Sequence, residues 1–582
     1  MRTKKTVWIL AIAFCLGVLA ASVVQSAQSV LDVIPDDALG FAVVNRIGTT
    51  DAKIKKLASQ IEAPVPGSPL QKLKQAAQVE TGLDEKGAAA AVAMPAAGSN
   101  ERPRPLIAIP VTDYKEFIGQ FDPEEVTDTI SRVRVIHGRS LVAQKGDYAL
   151  FVEVGNQDLL ESMLKSKKSV AEQVKPWQEW IEQSDAVVIV TGPAIKMFTT
   201  KASGELDKVK PMFEAMGEQG KQAAAAFEMY QKMLDLAGKE VATAGMGVLI
   251  EEDGVRISGL GQFAPGGQMA GWFKNMKAPP SNRWVGVPNE PFVLAGAGAL
   301  PEGLMESLME FSVNMMQNMP NIYGLDEKQM REFGKISAGA MKNVRGMAMA
   351  MGVTKPGQPL YQAASGTMWV DDSQVFLERY AELIQSMTKL AAGAEKSPLA
   401  NMDVNVMEIA GHNGLKLTMD LSTMYDQPGM EQFAPLFKAM YGPDSKMDVY
   451  MAAADKTTVV FSYIDKDRAV EAVKAVTESK ANMADNAAVA AMTKQLPADA
   501  QWVGFWSPRG TVALAQQMMK DFAPEGSAMT LPEFPETPPV GFAMTVSATG
   551  VHKELLIPVE VLKNMPVYMM KLRMMQMDME TD

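Results

Sequence analysis

The chain of 582 residues is poor in the side chains that usually move protons, hold metals or attack carbon. It has three histidines and a single cysteine. His137 precedes Gly138-Arg139 at an expected turn, His412 stands at an expected hairpin tip with Asn413-Gly414, and His552 opens the last expected strand. None has a second histidine at the spacing that puts two imidazoles on one helical face, and no HExxH pattern occurs. Each reads as a turn or surface residue rather than an acid, base or ligand.

Carboxylates are plentiful. Asp36-Asp37, Glu124-Glu125, Glu251-Glu252-Asp253 and Asp371-Asp372 are the clusters that could supply paired acids. Glycoside hydrolysis needs two acids flanking one bond. Each of these clusters, however, falls at an expected turn or helix start, where an acid caps free N–H groups and favours the helix dipole. Glu251-Glu252-Asp253-Gly254 also lacks the alternating oxygen ligands of a calcium loop. The glycine-rich GAGALPEG (Gly296–Gly303) follows a strand, as a phosphate-cradling loop does, but lacks both the third glycine and the lysine. A close strand-to-helix turn is the expected reading. No GxSxG elbow is present.

Two softer groups remain. Met565, Met569, Met570, Met574, Met575, Met577 and Met579 crowd the C-terminus, and thioether clusters bind Cu(I). The chain holds 44 methionines, among them Met305, Met309, Met315, Met316 and Met319, so packing explains the cluster more simply. Trp177/Trp180 and Trp502/Trp506 are aromatic pairs at helical and strand spacing, read as packing ridges before binding platforms. No catalytic, cofactor-binding or metal-ligating residue is therefore singled out.

The elements that would position any site recur. Leu496–Met519 reads as a turn at Leu496-Pro497-Ala498-Asp499, a short strand Trp502–Trp506, and a helix from Pro508. Ile34–Ile61 repeats that order, and Ser184–Phe198 and Asn289–Phe311 repeat it more loosely. Between the openings come hairpins followed by polar caps and helices. Lys145-Gly146-Asp147, Glu252-Asp253-Gly254, Ala454-Asp455-Lys456 and Thr549-Gly550 mark turns, and Asp113, Asp372 and Asp465 cap helices. The order matches between 30–278 and 284–582, with 279–283 as linker. This predicts a tandem duplication of an α+β fold: mostly antiparallel sheet with hairpin–helix units packed on one face.

Hydrophobic residues make up 47% and charged residues 21%, a globular balance able to build a sizeable core. The net charge of −12 argues against nonspecific binding to nucleic acid or anionic membrane, both of which need a basic face. Residues 1–27 read as a signal peptide: Arg2, Lys4 and Lys5, then uncharged Val7–Val24, then small residues. The length of the apolar stretch keeps an uncleaved signal-anchor as the alternative, and with it the sole expected membrane contact. Cleavage removes Cys15, and Phe14 before it does not suit a lipoprotein signal. The location expected is periplasmic or extracellular.

With its leader, its P-x-D-A openings (Pro35–Ala38, Pro497–Ala500) and its hairpin–helix units poor in His and Cys, the chain resembles exported bacterial proteins assigned to domains of unknown function. The resemblance implies no catalytic residues. The function expected is that of a non-enzymatic binding or structural protein of the cell envelope, with a protein or other envelope component as partner and no cofactor. A carboxylate-dependent hydrolase acting on an envelope or polymeric substrate is the alternative.

Overall fold

A computed structural model describes residues 28–63, 67–96, 98, 102–135, 138–214, 230–277, 279–280, 282–304, 327–391, 398–422, 434–478, 482–522 and 530–581. The expected leader, His137, Met305, Met309, Met315, Met316 and Met319 lie outside them. The chain forms two compact units. One comprises Met1–Thr200 with Ala237–Gln262, the other Lys201–Leu236 with Phe263–Asp582.

Strands form where β-branched and small apolar residues alternate between Gly, Pro and Asp turns. The first series is β1 (Gly40–Val44), β2 (Ala89–Met94), β3 (Arg104–Pro110), β4 (Glu124–Thr127), β5 (Ile130–Val135), β6 (Gly138–Lys145), β7 (Tyr148–Glu153), β8 (Ala186–Thr191), β9 (Val241–Ile250) and β10 (Gly254–Phe263). Their spatial order is β4-β5-β6-β7-β3-β2-β1-β8-β9-β10.

The second series is β11 (Phe292–Ala299), β12 (Val344–Gly352), β13 (Ala364–Val370), β14 (Met402–Ile409), β15 (His412–Asp420), β16 (Lys446–Ala453), β17 (Thr458–Tyr463), β18 (Trp502–Trp506), β19 (Val540–Ser547) and β20 (Gly550–Pro558). Its order is β14-β15-β16-β17-β13-β12-β11-β18-β19-β20. Adding ten to each label converts one order into the other, so the α+β fold is a duplication in its hydrogen-bonding pattern. The four openings recognised in the sequence supply β1, β8, β11 and β18, the neighbouring pair near the middle of each series.

Successive side chains point to opposite faces of a strand. In the first unit one face carries Phe41, Val43, Ala90, Val92, Leu106, Val187 and Ile189. It is covered by Leu31, Leu159, Leu160 and Ile181 from the helices Gln28–Val33, Gln157–Lys165 and Gln178–Gln183. That is the main core. The described residues cover the opposite face at its ends. At one end Phe117 and Ile118 of the helix Tyr114–Gly119 sit on Val142, Ala149 and Phe151, with Phe117, Phe121 and Phe151 meeting edge to face at 5.4–6.3 Å. Burying each such ring contributes roughly 1.5–3 kcal/mol. At the other end Ile47 and Leu70, from the helices Ile47–Gln60 and Pro69–Ala77, rest on Val44 and Ala89. Among the described residues the middle of this face stays bare.

The second unit covers the β12–β13 part of the equivalent face, while Leu294 of β11 and Phe542 of β19 stay 52% and 37% exposed. The helices Glu327–Met341 and Ser373–Ala391 bring Phe333, Met341, Phe376, Leu377 and Ile384 against Met347, Met349 and Met368. Its other face packs Ala295, Ala297, Ala348, Ala350, Val503 and Phe505 under the helix Ala487–Thr493.

The hairpin tip differs from the sequence reading. Strands β14 and β15 turn at Ala410-Gly411, whose φ values of 52° and 83° are those of a two-residue type I′ loop, not at His412-Asn413-Gly414. This register sends Leu415 and Leu417 into the core, while Gly414 lies inside β15. A Cβ on Gly414 would come within 2.6 Å of the Met451 carbonyl oxygen.

Candidate functional site

Of the acids considered for chemistry, Glu124, Glu251, Glu252, Asp371 and Asp372 are held by neighbours. Glu124 pairs with Arg132 at 3.7 Å within the β4–β5 hairpin, so the pair Glu124-Glu125 begins a strand and not a helix. Glu251 pairs with Arg256 at 3.2 Å and Glu252 with Lys56 at 2.5 Å. Asp371 pairs with Arg345, and Asp372 accepts from the backbone N–H groups of Gln374 and Val375. Ala38 N–H bonds the Pro35 carbonyl, closing the turn that holds Asp36 and Asp37, and Pro497 and Ala500 close the same turn. His412 Nδ1 lies 3.0 Å from the Ala453 carbonyl, and His552 Nε2 is 3.6 Å from Glu554. Among the described residues no group of three His, Cys, Asp or Glu side chains is placed to hold a metal. Burial pushes the Tyr114 phenol up to about 12.

GAGALPEG is not a turn at its start. Gly296 and Gly298 lie inside β11, and the Trp502 ring occupies the space a Cβ on Gly298 would need. Trp502 and Trp506 do share a face of β18, and the Trp506 indole donates to Thr511 Oγ1 at 2.7 Å. Trp177 and Trp180 pack against the first unit's core, with the Trp180 indole donating to Ser258 Oγ at 2.7 Å. The C-terminal methionines lie on the helix Val559–Thr581, anchored where Tyr568 meets Phe534 at 5.3 Å. At roughly 100° per residue Met570, Met574 and Met577 fall on one side and Met565 and Met569 on the other.

The first unit's bare face is the concave feature that sequence reasoning missed. It forms an apolar groove with a cavity of about 470 Å³, within the range of small-molecule sites. The cross-strand row Ile107–Ala91–Ala42–Val188–Met246 runs along it, with Pro105–Ala93–Gly40–Val190–Ala244 beside it. Small side chains at positions 40, 42, 91 and 93 bring the floor down to the backbone. Ala194, Met197 and Phe198 of the helix Gly192–Glu214 form one wall. Val188, Met246 and Phe198 are 44%, 55% and 58% exposed, high for apolar residues of this size. Among the described residues the lining is apolar, and its side chains offer no hydrogen-bonding group beyond the weak thioethers of Met197 and Met246.

A buried ion cluster stiffens the end of the groove's central strands. Asp185, fully buried just before β8, accepts from Ile250 N–H at 2.8 Å, from Lys53 Nζ at 3.1 Å, and lies 3.6 Å from Arg46. Arg46 is held in left-handed backbone at φ 50° and donates to the Glu182 carbonyl at 2.5 Å. The buried Asn45 amide donates to the Ile181 and Ser184 carbonyls. The second unit keeps the main bond without the charge: Gln501, at the matching position before β18, accepts from Val546 N–H at 2.7 Å.

No family model matches the chain, and no curated protein matches it. Two solved structures are similar to parts of it. Crystal form I of TP0453 aligns at 9% identity over 41% of this chain and 79% of its own, with a TM-score of 0.22. Crystal form III of TP0453 aligns at 9% identity over 42% and 82%, with a TM-score of 0.21. Among the described residues no helix is long and apolar enough to cross a membrane.

Proposed function

We propose that this is an exported, non-enzymatic binding protein of the cell envelope that holds an apolar ligand in the groove of its first unit. The observation that carries the reading is the uncovered sheet face with its wholly apolar lining. A bare apolar face of this size is unfavourable in water, and ligand burial removes that cost. The engagement of Glu124, Glu251, Glu252, Asp371 and Asp372 in ion pairs and a helix cap supports binding over hydrolysis. The charged start, apolar run and small-residue exit of residues 1–27 support export.

Purifying the full chain from its own cells without detergent and recording an intact native mass spectrum tests this. The expected mass exceeds that of the chain and returns to it after organic extraction, with an apolar species in the extract. A bare chain with no extractable apolar species would remove the proposal, and a mass that starts at Met1 would replace a released protein with a tethered one.

A further inference from the structure

The groove has a length and a chemistry of its own, and both restrict what fits. Its floor crosses five strands, β3-β2-β1-β8-β9, so four inter-strand gaps of about 4.8 Å give roughly 19 Å. One leaflet of a bilayer's hydrocarbon is about 15 Å, half of a core about 30 Å thick, and is spanned by a single acyl chain. Strands β1, β2 and β8 are each paired on both edges, so a peptide has no free strand edge to extend and would bury its own backbone groups unpaired. An apolar lining satisfies a hydrocarbon and penalises every polar group. Met197 and Met246 stand half-exposed at the sides, unbranched thioether chains that adapt to a flexible guest.

We infer that the groove takes one extended hydrocarbon chain, the acyl tail of a lipid, and leaves the polar end in solvent. This rests on the reading of the groove as a binding site and names its ligand class. Recognition is then by chain length and not by headgroup. Each methylene within the groove raises affinity about fourfold, and the gain stops when the chain outgrows the floor.

The test uses the full chain, freed of lipid on a hydrophobic resin and loaded with the fluorescent fatty acid cis-parinarate. Saturated fatty acids from octanoate to stearate and the matching lysophosphatidylcholines displace the probe. The expected result is a steep rise in affinity with length followed by a plateau, at the same length for both headgroups. Ala91→Met combined with Ala93→Met installs the methionines that the second unit carries at the matching positions 349 and 351, and is expected to weaken displacement at least tenfold. Val188→Glu, a change at an exposed position that does not burden the core, is expected to do the same, and Phe542→Ser in the second unit is expected to change nothing.

Affinity that ignores chain length, or follows the headgroup, overturns the acyl-chain inference. If neither cis-parinarate nor the other fatty acids bind, while the fluorescent fused-ring compound 1-anilinonaphthalene-8-sulfonate binds and the groove variants abolish its signal, the groove is a binding site for another apolar class. If no apolar compound responds to the groove variants, the binding reading falls as well.

Discussion

The two units share one pairing order and differ in what they do with the same face of the sheet. After β3 the first unit makes the six-residue helix Tyr114–Gly119, and after β13 the second makes the nineteen-residue helix Ser373–Ala391. The short helix covers the β5–β7 end of its sheet and stops, while the long one, with Glu327–Met341, continues over the middle. The strands beneath follow suit. Where β2 presents Ala89, Ala91 and Ala93, β12 presents Met347, Met349 and Met351. Where β1 and β8 present Gly40 and Val190, β11 and β18 present Leu294 and Trp506. Duplication therefore supplied two scaffolds, one covered further by its own side chains and one left open among the described residues. A ligand in the first unit would take the place that methionine and tryptophan take in the second.

The largest expected difference lies at the pair Asp185 and Gln501. Asp185→Ala leaves the Ile250 N–H without its acceptor and two cations without their carboxylate, in a fully buried place. The expected loss is about 3–5 kcal/mol. Gln501→Ala removes one neutral acceptor and is expected to cost about 1–3 kcal/mol. Urea unfolding of both variants measures the gap. Equal losses would mean that the ion cluster adds nothing to the shared hydrogen bond.

Next come the methionines of the filled face. Met349→Ala removes a side chain packed under the covering helices and is expected to cost about 2 kcal/mol, at the low end for such truncations because Met349 is only half-buried. The helices remain, so the variant gains a cavity rather than a groove, and no new binding of cis-parinarate is expected. New binding would show that alanine against methionine alone separates the two faces. Gly298→Ala is expected to cost about 1–2 kcal/mol, since its Cβ must displace the Trp502 ring, and to change tryptophan fluorescence. An unchanged spectrum would count against glycine as the seat of that ring.

Much of this architecture was legible in the sequence because it rests on local chemistry. Asp113 and Asp465 accept helix N–H groups as N-caps, Asp372 does the same for Gln374 and Val375, and Gly146 turns the β6–β7 hairpin at φ 59°. The hairpin β4–β5 was missed because Glu124-Glu125 looks like a helix start, and only pairing with Arg132 and Ser131 of β5, itself held by β6, makes it a strand. The groove was illegible for a different reason. Positions 42, 91, 188 and 246 meet through pairings across some two hundred residues, and an open face is set by the helix that does not reach it. Aligning the two halves would have given a signal, since AAAVAM at 89–94 falls opposite MAMAMG at 347–352.

The smallest effects are expected to carry opposite signs in the two units. In the first, Arg104 stands between the groove-lining Pro103 and Pro105 and hydrogen-bonds Asp158 at 2.8 Å, holding that carboxyl below its ordinary 3.8. A lowered acid stabilises the fold above its unfolded pKa and loses that contribution as pH falls through the folded value. In the second, Asp448 hydrogen-bonds Lys416 at 2.9 Å and raises its ammonium above the ordinary 10.5. A raised base stabilises the fold below its unfolded pKa and loses the contribution as pH rises through the folded one. Asp158 is 71% exposed, and Lys416 and Asp448 keep 33% and 25% of their side chains in water, so solvent screening holds each contribution under about 1 kcal/mol, that of Asp158 the less. Asp158→Asn should thus differ from the parent near neutrality and converge with it in strong acid, and Lys416→Met should converge with it in strong alkali. Differences that persist at both extremes would assign these side chains to packing, and the charge contrast between the units would then rest on Asp185 and Gln501.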